Sequence, residues 1–210
     1  HAFPSRIGNM LVGNFADITC FSFYANKTIT TGEGGMLVTN DSKIAERVKL
    51  MRLHGIDRAV WNRFNSDKPA WEYDVIQAGY KYNMPDINAA IGLAQLERAE
   101  EMRVLRQEVA EVYLDELKGI IGLDLPEINV PYRNHAWHIF SIVLNKEQKI
   151  QRQDMIDSLF SKGIGSSVHY KPLHRMTYYR NLYNLNPDNF PNTEKIWEGN
   201  FSLPIYSLLT

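Results

Sequence analysis

Residues 18–39 read ITCFSFYANKTITTGEGGMLVT. Two short apolar and aromatic runs, 18–24 and 35–39, frame a polar, glycine-containing connection. Runs of this length and composition, bounded by turn-forming residues, predict two buried strands. Lys27 therefore lies directly after the first strand, at the start of the connection.

Helical periodicity follows on the C-terminal side. Asp41 is placed to cap a helix that ends at His54-Gly55. Its apolar residues share one face: Ile44, Ala45, Val48 and Met51. A second pattern, over about 86–118, predicts one long helix or two joined by a kink, largely buried. Residues 55–78 between them predict an ordered loop rich in aromatic and charged side chains.

The sequence pattern after the long helical segment is different. Residues 136–144 predict a strand, 154–162 a short helix, and 164–170 another strand. The predicted inward-facing residues of the short helix are Ile156, Leu159 and Phe160. A strand, a helix and a strand in this order predict a smaller α/β domain.

The predicted fold class is therefore α/β, with two domains. Residues 1–118 form part of a large domain together with the long connecting helix, and residues 119–210 form the small domain. The chain starts at His1 without an initiator methionine and stops at Thr210. We expect both ends to be cut, so that the small domain is truncated.

Composition excludes several functional classes. The 210 residues are 44% hydrophobic and 22% charged, with a formal net charge of −1 and no long block of one sign. This balance gives no drive toward nucleic acid or a membrane surface, and no apolar run is long enough to span a bilayer. Cys20, the single cysteine, predicts a reducing, cytoplasmic setting and a buried, inert thiol. The scattered histidines, including His135 and His138, form no pattern of a metal site.

Lys27 is the candidate for chemistry. A lysine that forms a Schiff base must be neutral part of the time, so it needs a partly dry site. The glycines that follow Lys27 allow a ligand to approach the backbone, and the Ser22 hydroxyl is suited to a phosphate. From the residues alone, a solvated lysine beside an ordinary turn explains the same pattern. A Schiff-base aldolase or decarboxylase also remains open.

Residues 21–36, FSFYANKTITTGEGGM, resemble the cofactor-lysine segment of the DegT/DnrJ/EryC1/StrS aminotransferases. Residues 79–92, GYKYNMPDINAAIG, resemble a second block of that family. Four shorter stretches agree in the same order: 53–58, 135–138, 168–174 and 202–206. Together these segments span nearly the whole chain.

The resemblance implies a fold-type I enzyme dependent on pyridoxal 5'-phosphate (PLP), with Lys27 as the Schiff-base lysine. It further implies that Ser22 binds the cofactor phosphate and that His1 lies close to the cofactor's phenolic oxygen. Asn83 is implied to reach the phosphate in the neighbouring subunit, which makes the protein a homodimer with shared active sites. The family's aspartate that pairs with the pyridine nitrogen is expected three residues before His1.

The resemblance also implies a substrate and a reaction. Glutamate donates an amino group and leaves as 2-oxoglutarate, and a nucleotide-linked keto sugar accepts the nitrogen. The nearest members act on UDP-4-keto sugars of the 4-amino-4-deoxy-arabinose type. His169 and Tyr170 match a segment that lines the sugar-nucleotide pocket. Arg63, in the aromatic loop, is a further candidate for the substrate phosphates. The alternative is a catalytically incomplete fragment that acts only as a folded or dimerising piece.

Overall fold

The computed structural model describes residues 1–57, 73–128 and 134–209. The chain divides into two compact units. His1 and Phe3–Ala99 form the first, and Ala2 and Glu100–Thr210 form the second. The second unit thus includes most of a helix that we assigned to the large domain. The domain boundary expected between residues 118 and 119 stays a prediction.

The first unit contains four short strands and two helices. They are β1 (Arg6–Ile7), β2 (Met10–Leu11), β3 (Ile18–Ser22), β4 (Gly35–Thr39), α1 (Ser42–Met51) and α2 (Asp86–Glu97). Strands β3 and β4 pair antiparallel, with Ile18 opposite Thr39 and Ser22 opposite Gly35. Asp41 caps α1, because its Oδ1 accepts hydrogen bonds from the Lys43 and Ile44 amides at 2.7 and 3.3 Å. The two strands and the capped helix confirm the sequence-based prediction.

The predicted burial of this unit was wrong. Strand β3 alternates between exposed and partly buried residues, and Cys20 lies on the exposed face. Helix α2 leaves Ile87, Leu93 and Leu96 at least half exposed, at 77, 65 and 52%. The reason is that β3 and β4 form a two-stranded ribbon without a further hydrogen-bonded strand among the described residues. An apolar run predicts a strand or a helix, but a neighbouring surface must supply the burial.

The residues of the long helical pattern form two helices, which is one of the two predicted alternatives. Helix α2 ends at Glu97, and α3 extends over Ala99–Glu116. Arg98 between them has backbone angles of φ −99° and ψ 3°, outside the helical range. Past the end of α3, Gly119 has a φ of +78°, a left-handed conformation that stops a helix at little cost for glycine.

The second unit packs helices on an antiparallel sheet. The strands β5 (Leu123–Asp124), β6 (Phe140–Leu144) and β7 (Asn200–Leu203) lie in the order β5-β6-β7. The helices after α3 are α4 (Arg152–Ser161), α5 (Thr177–Tyr183) and α6 (Pro191–Gly199), with two 3₁₀ turns at Leu173–Arg175 and Pro187–Asn189. The core comprises buried residues of α3, β6, β7 and their flanks: Ala110, Trp137, Phe140, Ile142, Leu144, Phe201 and Ile205.

Two strand predictions for this unit were wrong, the first in part and the second in full. The strand expected over 136–144 begins only at Phe140, since Trp137 has a φ of +48° that strands do not adopt. Residues 164–170 form no strand, although Ser167 makes an isolated backbone bridge to Ser202 and His169 has hydrogen bonds to β7. The strand that follows β6 in the sheet is β7. Its four residues, NFSL, are too few to show a clear alternation of apolar and polar side chains.

The face of α4 was also predicted wrongly in one position. Ile156 and Leu159 pack against the core, whereas Phe160 is 77% exposed. Met155 takes the third inward position. Residues 155, 156 and 159 share one helical face, and residue 160 lies a further 100° around the helix from residue 159.

Within the described ranges, no helix combines the length and the apolar character that crossing a membrane requires.

Candidate cofactor site around Lys27

Backbone hydrogen bonds close the base of the loop that carries Lys27. Beyond the end of β3, Phe23 donates its amide to Gly34 O at 2.8 Å. Its carbonyl accepts from the Thr31 amide at 3.0 Å and from the Thr30 hydroxyl at 3.1 Å. The Lys27 amide then bonds Tyr24 O at 3.0 Å, which forms a turn. The strand ribbon thus presents Lys27 on a short loop with a fixed base.

Lys27 is partly buried as a residue, and the hydrogen bond that its amine makes is exposed. Its Nζ donates to Asn26 Oδ1 at 2.8 Å and lies 5.7 Å from the centre of the Tyr24 ring. Partial burial, and after it the positive charge of Lys27, lower the pKa of the His1 amino group. The place of His1 beside the cofactor's phenolic oxygen stays a prediction.

Ser22 is the last residue of β3 and lies exposed, two residues before the turn at Tyr24. Its Oγ accepts the Tyr24 amide at 3.4 Å. Within the described part of the chain, its hydroxyl proton has no acceptor. Ser22 can therefore donate a hydrogen bond to an anion such as a phosphate.

Asn83 lies on the segment before α2, partly buried. Its side-chain oxygen accepts a close hydrogen bond from Lys81 Nζ. Its NH₂ group has no acceptor among the residues that the structure describes, so it remains a donor for a ligand. The rings of Tyr80 and Tyr82 stack beside it with centres 5.0 Å apart.

A tight backbone crossing supports this segment. Ile56 and Leu53 pair with Val75 and Lys81. A Cβ atom at Gly79 would lie 2.1 Å from the Gly55 backbone nitrogen, so no larger residue fits there. This contact explains the first glycine of the GYKYN block. Arg63, which we predicted to bind substrate, lies outside the described residues.

Two residues that the sequence analysis missed hold the Lys27 loop. Asn88 Nδ2 donates to Thr31 O at 2.8 Å and to Glu33 O at 3.0 Å. Gln95 Oε1 accepts the Thr30 amide at 3.3 Å. The available signal was their spacing of seven residues, which puts two amides on one face of an otherwise mainly apolar helix.

His169 and Tyr170 lie in the second unit. His169 Nδ1 is 2.9 Å from Ser202 Oγ, its carbonyl accepts from Asn200 Nδ2 at 2.9 Å, and burial lowers its pKa. Tyr170 is 53% exposed, and its ring meets the His169 ring edge to face at 4.8 Å. The hydrogen bonds to β7 thus hold His169, while Tyr170 presents its ring to solvent. Their contact with substrate stays a prediction.

Known proteins resemble the chain over its full length. Uncharacterized protein MJ1066 of Methanocaldococcus jannaschii is 44% identical over 211 residues, covering 100% of this chain and 54% of the relative. The Bacillus subtilis spore coat polysaccharide biosynthesis protein SpsC is 38% identical over 208 residues, covering 98% of this chain and 53% of SpsC. The chain therefore spans about half the length of these relatives.

A solved structure shows the same fold. Helicobacter pylori PseC, an aminotransferase involved in the biosynthesis of pseudoaminic acid, superposes with a TM-score of 0.85 at 31% identity. The match covers 98% of this chain and 52% of PseC. The predicted α/β architecture of a fold-type I PLP-dependent transferase is thus confirmed for this part of the fold.

The residues around Lys27 fit PLP chemically. An accessible primary amine can condense with the cofactor aldehyde, and a neighbouring serine hydroxyl can donate to its phosphate. The model of the DegT/DnrJ/EryC1/StrS aminotransferase family matches residues 1–210, and enzymes of this family depend on PLP. The chain belongs to the DegT/DnrJ/EryC1/StrS aminotransferase family of PLP-dependent sugar aminotransferases.

Proposed function

We propose that the protein transfers an amino group from glutamate to a nucleotide-linked keto sugar, with Lys27 as the residue that holds PLP covalently. The observation that carries this proposal is the accessible Lys27 amine on a loop whose base is fixed by hydrogen bonds to Phe23. When bound, PLP supplies a carbonyl that condenses with amines and a ring that accepts electrons. The protein supplies position and proton transfer.

Lys27 has two tasks in this proposal. Its Nζ holds the cofactor at rest and, once the substrate amine has displaced it, moves a proton at the substrate carbon that carries the nitrogen. Asn26 Oδ1 accepts a hydrogen bond from Nζ at 2.8 Å and orients the amine. The partial burial of Lys27 restricts the range of the amine, which favours one proton-transfer geometry.

Ser22, His1 and Asn83 complete the proposed cofactor site. The Ser22 hydroxyl donates to the phosphate, and His1 lies on the side of the phenolic oxygen. Asn83 donates its NH₂ group to the phosphate in the partner subunit, so the active form is a homodimer. The exposed apolar residues of α2, which begins three residues after Asn83, support a covering partner surface.

The proposed sugar substrate is a UDP-linked 4-keto sugar of the arabinose type, and 2-oxoglutarate is the product of the donor half-reaction. The support is the resemblance of the blocks within residues 54–83 and of residues 135–138 to members that act on such sugars. His169, Tyr170 and Arg63 are the proposed substrate contacts. An exposed tyrosine ring beside a fixed histidine is suited to stack on a sugar or base.

The proposed location is the cytoplasm. Cys20 is the only cysteine in the chain, and its thiol is exposed. An exposed free thiol persists in a reducing compartment and is oxidised outside it.

The test is cofactor labelling of the purified chain. The protein is incubated with PLP, the absorbance spectrum is recorded, and borohydride reduction is followed by peptide mass mapping. We expect the pyridoxyl mass on the peptide that contains Lys27. Lys27→Ala should abolish this label, because no other amine occupies its position.

Lys49→Ala is the matched control. Lys49 lies on α1 of the same unit, exposed and paired with Glu46 at 2.8 Å. Its removal should leave the Lys27 label unchanged. Label spread over surface lysines and unaffected by Lys27→Ala would contradict the assignment of Lys27. If the chain forms a stable dimer but binds no PLP specifically, the result would favour the alternative of an incomplete, dimerising piece.

A further inference from the structure

One face of α2 contacts the Lys27 loop through three residues. Asn88, Gly92 and Gln95 are spaced by four and three positions, so they line up along one side of the helix. We call this set the α2 polar face. The remaining residues of α2 are mostly apolar, so the alignment of two amide side chains along one helix face suggests a specific role for them.

Both amides are used on the loop backbone. Asn88 donates to two carbonyls, Thr31 O at 2.8 Å and Glu33 O at 3.0 Å. Gln95 accepts one amide, from Thr30, at 3.3 Å. These partners fix the roles of the two side chains, because carbonyls accept only and an amide N–H donates only.

Gly92 sets the distance between helix and loop. A Cβ atom at this position would lie 3.0 Å from Thr31 Cγ2. Thr31 is 3% exposed and Ile29 is 5% exposed, so the backbone around Thr31 is shielded from water, whereas Glu33 is exposed. A buried backbone group that loses its partner cannot replace it readily with solvent.

A chain of hydrogen bonds connects this contact to Lys27. Thr30 and Thr31, which α2 holds, both bond Phe23 O. Phe23 is followed by Tyr24, whose carbonyl accepts the Lys27 amide at 3.0 Å. A shift of residues 30–33 therefore releases Phe23 and the turn at Lys27.

We propose that Asn88 and Gln95 are positioning residues for Lys27, acting through the backbone of residues 30–33. This inference rests on the proposed role of Lys27. Neither side chain touches the cofactor in this proposal. They determine where the Lys27 amine stands and hence how readily it captures the cofactor aldehyde.

Two isosteric substitutions separate bonding from charge. Asn88→Asp replaces a double donor with a carboxylate that faces two carbonyl oxygens, so both bonds are lost. Gln95→Glu adds the same charge to the same helix face but keeps the acceptor that the Thr30 amide needs. We expect Asn88→Asp to impair the loop and Gln95→Glu to resemble the wild type.

Two readouts are measured on the full chain. Amide hydrogen exchange is followed at Thr31 and Lys27, and PLP labelling with borohydride is expressed as the ratio of Lys27 to Lys49 label in the same sample. In Asn88→Asp, exchange at both amides should rise and the label ratio should fall, each by about tenfold, as for a buried polar group left without its partner. Circular dichroism checks that the variant is folded.

Gln95→Leu serves if Asn88→Asp does not fold, because it removes a single acceptor and should shift both readouts in the same direction. Faster exchange at Thr31 with unchanged exchange and label at Lys27 would overturn the proposal, since the contact would then be local. Equal effects of Gln95→Glu and Asn88→Asp would also overturn it in favour of charge. Equal labelling of Lys27 and Lys49 in the wild type would overturn the proposed function instead, and amide exchange would then decide the loop contact alone.

Discussion

The two units of the chain bury different parts of themselves. In the second unit the largest fully buried side chains, Trp137, Phe140 and Phe201, lie on or next to strands β6 and β7. In the first unit none of the residues of β3, β4, α1 and α2 is buried. Its Ile29 and Thr31, 5 and 3% exposed, lie instead in the loop after Lys27.

Different interactions therefore stabilise the two units. Burial of apolar area on the strands stabilises the second unit, and such burial is roughly proportional to area and not directional. In the first unit, side-chain hydrogen bonds to backbone groups hold the Lys27 loop, and these bonds depend on distance and angle. A reactive amine needs a defined position, which directional bonds provide better than apolar contact does.

The largest expected effect compares two strand isoleucines. Ile142 on β6 is 3% exposed and Ile18 on β3 is 43% exposed. Ile142→Ala should lower the free energy of unfolding by about 2–5 kcal/mol, because it leaves a cavity in a packed core. Ile18→Ala should cost about 1 kcal/mol or less, close to the difference in strand propensity.

Urea denaturation followed by far-ultraviolet circular dichroism measures both values. Ile142→Val, which removes a single methylene, is the graded control and should cost about 0.5–1.5 kcal/mol. Similar losses for Ile18→Ala and Ile142→Ala would mean that another surface covers β3 in solution.

A smaller, pH-dependent effect is expected in the second unit. Hydrogen bonds from Arg175, and then from His174 at 2.5 Å, lower the pKa of Glu194 to about 2. A carboxylate whose pKa is lowered by folding stabilises the protein above its ordinary pKa, near 4.5, and loses that contribution as the pH falls toward 2. Glu194→Gln should therefore reduce stability at neutral pH, and the difference from wild type should disappear by about pH 2.

The measurement is the midpoint of urea unfolding at a series of pH values. Glu147→Gln, an exposed carboxylate in the same unit, should leave the acid limb of the curve unchanged. If the stability difference between Glu194→Gln and wild type persists unchanged at the lowest pH, Glu194 contributes through packing instead of charge.

The smallest expected difference concerns Cys20. This thiol lies on the exposed face of β3, together with Ile18 and Ser22. A thiol reagent should therefore modify Cys20 in the native chain at nearly the rate found in urea. Strong protection in the native state would mean that the face is covered and that the contrast between the units is smaller than described.

Local sequence signals predicted much of the first unit. The apolar runs at 18–24 and 35–39 and the cap at Asp41 act between residues close in sequence, and the structure shows these elements. Lys27 was recognised from a segment of 16 residues that surround it. Asn88 and Gln95 escaped notice, because their partners lie 55 to 65 positions earlier in the chain.

The sequence by itself determined the strand ribbon, the capped helix, the family and the position of Lys27, since each depends on residue types at short spacing. Only the tertiary structure decided which apolar faces are buried, which strand lies beside β6, and which side chains hold the Lys27 loop. Residues 164–170 and 200–203 show the reason. Residues 200–203 pair with β6, whereas residues 164–170, which the sequence predicts as a strand, do not. Contacts with residues distant in sequence select the segment that pairs, and no local pattern encodes those contacts.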